Sequence, residues 1–423
     1  MKRVIFLSLL ISLILFGCSG KSGDEDKGIT KVTFWHVMGG PSGEVLNEIA
    51  DSFNILHPEI KIVLISVGTY EALSTKLMSS ISNPPVMSQV YESWTSEFYN
   101  AGILAPMEDF MEDSYEENLR QDVYKIFIED NTFGGKLVTM PFNKSVPAYF
   151  YNEDMFIKSG LKEFPKTWDD FTADMKLLTV DLNKDGEAEQ HGTAFNINVW
   201  MFECRLLQYG GELADSALLP KFNSKAGVKA IDIDNQVVAR DKSGYTTTGY
   251  QHQDDFLSQK IASIYGSCVS LSFIMDAKPP FNLAMAKVPR GETDAVLISG
   301  TNVAIFNKAT KKQQAAAFKF VEFFTSTDMQ ALWSGRTGYL PVRKSSMNSS
   351  LLQAQFEKYK GLKEVYEQLN YAYMEPQDKE WYIGRKLLGN ALEYAVKGDK
   401  DPKAALDEAA EEFKKELKKN GKI

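Results

Sequence analysis

The chain reads as an α/β protein of two lobes joined by a hinge, and three observations lead there. From residue 31 onward, short apolar runs alternate with longer amphipathic stretches, the pattern of a parallel sheet covered by helices. The 423 residues, 44% hydrophobic and 24% charged, exceed the roughly 250–300 that a single core usually serves, so two domains are expected. Finally, Pro141 and Pro147 bracket "FNKS" in the middle of a strand-like segment. Prolines are tolerated at strand ends and edges, so a strand interrupted this way suits a crossing between lobes, near residues 140–148.

The first residues are a targeting segment and stand outside the fold. Lys2 and Arg3 form a basic start, and residues 4–17 form an apolar run of fourteen, short of the roughly 20 a spanning helix needs. The run ends "LFGCS", which resembles the lipobox of bacterial lipoproteins and implies lipidation of Cys18 after removal of residues 1–17. Residues 18–28, "CSGKSGDEDKG", then read as the lipidated cysteine and a flexible tether. The expected location is the cell envelope, exported and lipid-anchored. Removing residues 1–17 takes away two basic groups and no acidic ones, moving the net charge from −9 to −11. Such an acidic chain disfavours nucleic acid and anionic lipid surfaces as partners.

The folded part opens with the strand "KVTFWHV", a helix carrying Val45, Leu46, Ile49, Phe53 and Leu56 at helical spacing, and the strand "EIKIVLISV", a βαβ unit. A helix over 70–81, the strand "VMSQVY" and a polar helical segment over 108–130 follow. A second α/β region runs from 149 to about 290. The segment 295–306, "AVLISGTNVAIF", reads as strand, turn, strand and returns the chain to the first lobe. Residues 311–333 form an amphipathic helix ending at the turn "RTGYLPV", and the tail from 351 is rich in helix formers. This divides the chain into lobe I, 29–142 plus 295–345, and lobe II, 143–294 plus 346–423.

The residues that carry catalysis in common enzyme classes are not gathered into motifs. The four histidines, His36, His57, His191 and His252, form no H-x-x-x-H pattern, and no Walker loop, dinucleotide fingerprint or G-x-S-x-G elbow occurs. Acidic pairs are abundant, and nothing recommends one pair for glycoside hydrolysis over another. "DLNKDGEAE" begins like a calcium loop, with Asp181, Asn183 and Asp185, but Gly192 stands where the twelfth-position glutamate belongs; a plain Asx surface turn is the leading reading. Cys204 and Cys268 fit a disulfide or two free core thiols equally. What remains is a scatter of aromatic and small polar residues beside strand ends and turns: Tyr70, Glu92, Ser145, Trp200, Ser267, Gly300 and Tyr339. Each alone suits core or turn chemistry. Together they have the makeup of a reversible small-ligand site.

The segments "FWHVMGGPSGEVLNEIADSFNILHPEIKI", "VYES", "MPFNKSVPAYFYNEDMF", "PKTWDDF" and "TGYLPV" resemble the solute-binding proteins of bacterial ABC importers for sugars, and within them the glycerol-3-phosphate-binding branch. The resemblance implies the two-lobed periplasmic-binding-protein fold, lobes closing on a ligand about a multi-strand hinge, with no catalysis and no cofactor. It implies delivery to the transmembrane subunits of an ABC permease by a monomeric receptor. Carried over residue by residue, it assigns ligand contacts to Tyr70, Glu92 of "QVYE", Ser145 of the "PFN" segment, Trp200, Ser267 at a helix start, Gly300, Tyr339 and Arg385. A phosphate ester suits that set: Arg385 as a planar cation, the serine hydroxyls and the Gly300 N–H as neutral donors, and Glu92 accepting from a glycerol hydroxyl. Arg336 and Arg343 are alternatives to Arg385, and Lys144 is an extra cation that either aids phosphate or faces solvent. The competing readings are a receptor for a neutral oligosaccharide, with the aromatics stacking on sugar, and a secreted carbohydrate-active enzyme.

Overall fold

The computed structural model describes residues 28–423; the export segment and Cys18 lie outside the described residues. The opening βαβ unit forms as its pattern requires. Thr30–His36 pairs in parallel with Ile60–Ser66 on one side and Met87–Val90 on the other. Helix Gly40–Leu56 turns Val45, Leu46, Ile49 and Phe53 inward, the apolar stripe that three- and four-residue spacing produces. The first sheet is then completed from a distant part of the chain. Asn302–Phe306 lies antiparallel to Met87–Val90, Leu104–Ala105 and Met140–Pro141. The second sheet has the order Gly244–Thr246, His191–Phe195, Ile261–Ser267, Pro147–Asn152, Leu283–Ala286. Every residue of its strand Pro147–Asn152 is buried.

Pro141 ends a strand of the first sheet and Pro147 begins one of the second, so the chain crosses at residues 142–146. It returns alongside. Ser145 and Ser299 exchange two backbone hydrogen bonds of 2.9 Å each, and the N–H groups of Phe142 and Asn143 both donate to the Thr301 carbonyl. Upstream, Val296–Leu297 pairs with Ala372–Tyr373, which adds a third crossing to the hinge. The two main crossings approach so closely that Gly300, at φ +105°, has no room for a side chain: a Cβ there would sit 2.0 Å from the Asn143 carbonyl oxygen.

Two details of the helical part depart from periodicity. The stretch expected as one helix over 311–333 is two, Lys311–Phe324 and Thr327–Thr337. The break is satisfied by side chains: Arg343 Nε, from beyond both helices, donates to the Thr325 carbonyl at 2.5 Å, and Gln330 Nε2, from the second helix, to the Phe324 carbonyl at 2.8 Å, capping carbonyls that a helix end leaves open. Likewise the segment 108–130 is divided into helices Asp113–Asp122 and Lys125–Asp130. Helix Ser350–Lys358 still packs on Thr327–Thr337, and the tail reaches the second sheet only at residues 360–361, where the Lys360 carbonyl accepts from Met285 N–H at 2.8 Å. Helices Trp381–Val396 and Pro402–Lys419 pack on each other and on Lys225–Asn235. No helix among the described residues is long and apolar enough to cross a membrane.

Gly300→Ala is expected to destabilise the fold by at least about 2 kcal/mol, because it combines left-handed backbone strain with a backbone clash at the hinge. Chemical denaturation checks this; an unchanged midpoint would show that the crossings can separate freely.

Candidate functional site

The crossing at residues 142–146 carries two side chains that organise everything around it. Lys144 has no exposed surface, and its Nζ lies 2.7 Å from Asp130 Oδ2 and 2.6 Å from Glu92 Oε1. Asn302, on the return strand, donates Nδ2 to both carboxylates at 3.2 Å each. One buried cation and one amide thus bind two acids. Burial first, then the Asp130 charge, raises the Glu92 carboxyl to about 7 despite the opposing pull of Lys144, and the two acids outweigh burial in raising the Lys144 ammonium. Glu92 is the first residue of helix Glu92–Asn100, where the helix dipole favours its charge.

The neighbouring Asn143 gathers aromatic hydroxyls. Its Nδ2 donates to the hydroxyl oxygens of Tyr70, at 3.0 Å, and Tyr339, at 3.1 Å, while its Oδ1 accepts from the Thr301 backbone N–H at 3.0 Å. Tyr70 also packs against Tyr91, ring centres 5.0 Å apart, and Tyr91 against Trp94 at 5.1 Å. Tyr339 lies flat on Trp333, 5.4 Å between centres and 3° between planes. Gly338 ends the preceding helix in the left-handed conformation at φ +80°, and its carbonyl accepts from the Cys268 thiol at 3.1 Å. The turn therefore holds the tyrosine ring on its own helix and directs the hydroxyl to the hinge.

A third cluster comes from the second lobe. Arg385 Nη1 pairs with Glu375 Oε1 at 2.8 Å, and Nη2 stands 3.8 Å from Glu203 Oε2. Glu203 is fully buried, and neither of its oxygens has a hydrogen-bond partner among the described residues. Burial, then the Glu375 charge, pushes its carboxyl well above the usual range, with Arg385 opposing. Trp200 is on the same helix, Val199–Gln208, and anchors to the hinge by donating Nε1 to the Leu297 carbonyl at 2.9 Å. The field of Tyr91 reaches Glu92 on one side and Arg385 on the other, linking the clusters.

A family model described as bacterial extracellular solute-binding protein matches residues 48–364. The chain belongs to that family. It is 27% identical, over 402 residues covering 90% of this chain and 91% of the other, to the sn-glycerol-3-phosphate-binding periplasmic protein UgpB of Escherichia coli strain K12, and 26% identical over the same span to UgpB of Shigella flexneri. Among solved structures it resembles UgpB from Mycobacterium tuberculosis in complex with glycerophosphocholine, at TM-score 0.79 and 20% identity over 93% of this chain and all of that one. It also resembles the cyclic alpha-maltosyl-1,6-maltose binding protein from Arthrobacter globiformis, at TM-score 0.78 and 24% identity over 91% and 98%. These structural likenesses establish the two-lobed fold.

In this solute-binding protein seven of the eight residues singled out from sequence lie on the crossings or against them, and Arg385 stands apart, with Glu375 and Glu203. Ser145 and Gly300 are in the crossings themselves; Tyr70 and Tyr339 meet Asn143, Glu92 meets Lys144, and Trp200 meets Leu297. Ser267 pairs with Pro147, which makes it the end of strand Ile261–Ser267; the helix it was expected to open begins at Ser270. Lys144 corrects the sequence reading most sharply, since it neither faces solvent nor is free for an anion. Arg336 is an exposed partner of Glu48, and Arg343 is buried against Asp122, Asn118 and the Thr325 carbonyl, so neither replaces Arg385. Cys204 and Cys268 are separate buried free thiols. In the 181–189 loop the carboxylates that converge are Asp181, Asp185 and Glu189, within 4.8 Å of one another. Asn183 turns its amide onto Asp185, and both Asp181 oxygens accept backbone N–H groups, as in a self-satisfied surface turn.

Sequence reasoning passed over Asn143, Tyr91, Asp130, Glu203 and Glu375. Asn143 was within reach, as the residue between the bracketing prolines. The acids were not, because nothing local separates a buried acid from the many exposed ones in an acidic chain.

Lys144→Met is expected to destabilise the protein by about 3–5 kcal/mol at pH 8, since Asp130 and Glu92 lose their buried counter-charge. The deficit should shrink toward pH 5. Glu92, raised to about 7 even beside Lys144, then binds a proton in the folded state, and one of the two unpaired charges disappears as pH falls through that value. Denaturation midpoints across pH check this; a deficit equal at both ends would remove the triad as its cause.

Proposed function

We infer that this chain is the receptor of an ABC importer, capturing a glycerol phosphate, either the monoester or a glycerophosphodiester, between its lobes and delivering it to the permease. The observation that carries the reading is Arg385: its Nη2 edge makes no hydrogen bond among the described residues, while Nη1 is fixed by Glu375. A guanidinium held closely at one edge and faced only at 3.8 Å, by Glu203, at the other suits a phosphate oxygen. The Ser145 and Ser267 hydroxyls and the Gly300 N–H supply neutral donors. Glu92, held at Oε1 by Lys144 and Asn302, presents Oε2 to a glycerol hydroxyl. Tyr70, Trp200 and Tyr339 wall the site. The curated relatives named for sn-glycerol-3-phosphate match over nine-tenths of the chain, which supports the same ligand class. Cys18 carries the lipid that holds the receptor at the cell envelope, and no catalytic step is assigned.

A neutral oligosaccharide is the second reading, favoured by one observation. The region holds four carboxyl groups, Glu92, Asp130, Glu203 and Glu375, against two cations, Lys144 and Arg385. Carboxylates suit sugar hydroxyls better than they suit a further anion.

Calorimetry with sn-glycerol-3-phosphate, glycerophosphocholine, maltose and inorganic phosphate separates the two. Saturable binding of a phosphoester, weakened by several kcal/mol in Arg385→Ala, is the expected result. Tight maltose binding that is indifferent to Arg385→Ala would establish the sugar reading. Tyr339→Phe is expected to weaken the ligand by about 0.5–1.5 kcal/mol, one hydrogen bond's worth, without loss of fold, because the stack on Trp333 survives. An unchanged affinity would leave Tyr339 a packing residue.

A further inference from the structure

The glycerol phosphate reading leaves an electrostatic difficulty, and Glu203 resolves it. An anion that arrives at Arg385 meets a guanidinium already faced by two carboxylates, Glu375 at 2.8 Å and Glu203 at 3.8 Å. One positive charge cannot stabilise three negative ones in a region shielded from water. Glu375 has the nearer contact and holds the guanidinium in place. Glu203 is different: it has no exposed surface, and none of its oxygens is hydrogen-bonded within the described residues. It is the acid whose charge has least support.

The other groups nearby offer it nothing. On its own helix, Arg205 is committed to Asp234 at 2.6 Å and lies over the Trp168 ring, and Cys204 is a buried thiol held up at about 12, neutral, accepting from the Leu297 N–H. From the C-terminal segment only Glu375 and Arg385 face it, one repelling and one attracting its charge. Across the cleft, Tyr91 acts on Arg385, and the Asp130 charge reaches Glu375. Neither supplies Glu203 with a counter-charge, and Lys144 is already shared by Asp130 and Glu92.

We propose that Glu203 is a positioning residue that makes anion capture proton-linked: a phosphate oxygen engages Arg385 Nη2 while a Glu203 oxygen holds a proton, so that receptor in which Glu203 has ionised takes up about one proton together with the ligand. With Glu203 uncharged, the incoming negative charge meets one carboxylate at the guanidinium instead of two, and Arg385 keeps the Glu375 ion pair that orients it. The inference rests on the phosphoester reading. It also carries a specificity: a neutral sugar brings no charge and takes up no proton, whereas phosphate esters bind with an affinity set by pH.

The sign follows from linkage. The bound state raises the affinity of Glu203 for a proton, so binding is strongest at low pH and falls as pH rises. For one proton the dissociation constant rises up to about tenfold per pH unit. The ligand's own titration must be excluded. Phosphate monoesters lose their second proton near about pH 6 and diesters do not titrate nearby, so both keep constant charge between about pH 7.5 and 9.

The test is calorimetry of the mature chain with sn-glycerol-3-phosphate and with glycerophosphocholine across that pH range, in two buffers of different ionisation enthalpy, which counts protons directly without any variant. The expected result is proton uptake that grows toward one as pH rises across the range, with affinity falling in step, and loss of both in Glu203→Gln while binding itself persists at the upper end of the range. Binding with no proton uptake overturns the proposal and leaves the ligand reading intact. Uptake that survives Glu203→Gln overturns the assignment, and its loss in Glu92→Gln would move it to the hinge triad. If neither ester binds at any pH, the glycerol phosphate reading fails and this inference with it.

Discussion

Lys144, shut away from solvent between Asp130 and Glu92, is the contact on which the hinge and the site both depend. Desolvating an ammonium is costly, and two carboxylates at 2.6 and 2.7 Å offset that cost only if all three groups keep their places. The triad draws on separate parts of the chain: Asp130 from the end of a helix, Glu92 from the start of another, Lys144 from the first crossing. Asn302 adds the return strand by donating to both acids. The two lobes are therefore joined at a point where any displacement of one strand leaves a charge unpaired. A hinge fixed in this way has a defined axis.

The same triad fixes the groups beside it. Lys144 and Asn302 occupy one oxygen of Glu92 and leave the other, and Asn143, one residue earlier in the crossing, sets the hydroxyls of Tyr70 and Tyr339 side by side. Adjacent residues of an extended chain point in opposite directions, so Asn143 and Lys144 serve two different polar networks from a single short segment. Gly300 belongs to this arrangement as much as to any anion. Its missing side chain is needed first by the Asn143 carbonyl, which would otherwise be struck at 2.0 Å.

The second lobe answers with Arg385, Glu375 and Glu203, an acid-rich counterpart of the hinge triad in which the cation is only partly satisfied. The cation of the crossing is held by two carboxylates within 2.7 Å, and that of the second lobe by one at 2.8 Å and one at 3.8 Å. The two clusters thus hold similar charges in different states: the Lys144 cation is met by two close carboxylates, and the Arg385 cation by one close and one distant.

Much of this was legible in the sequence, and the boundary has a physical cause. The βαβ opening followed from the 3.6- and 2-residue periods, the crossing from the paired prolines 141 and 147, and the return from the strand-turn-strand at 295–306, because all of these are local signals of backbone geometry. Seven of the eight candidate residues stood out as aromatic and small polar residues beside strand ends and turns, and the resemblance, which preserves order along the chain, added Arg385. Only the tertiary structure decided the partners of the charges. Lys144 was an extra cation until Asp130 and Glu92 were found beside it, Arg343 was an alternative anion site until it capped a helix end, and Glu203 was one acid among 56 acidic residues. A side chain's charge is written in its letter. Whether that charge is paired, buried or free depends on residues hundreds of positions away, and only the folded chain brings them together.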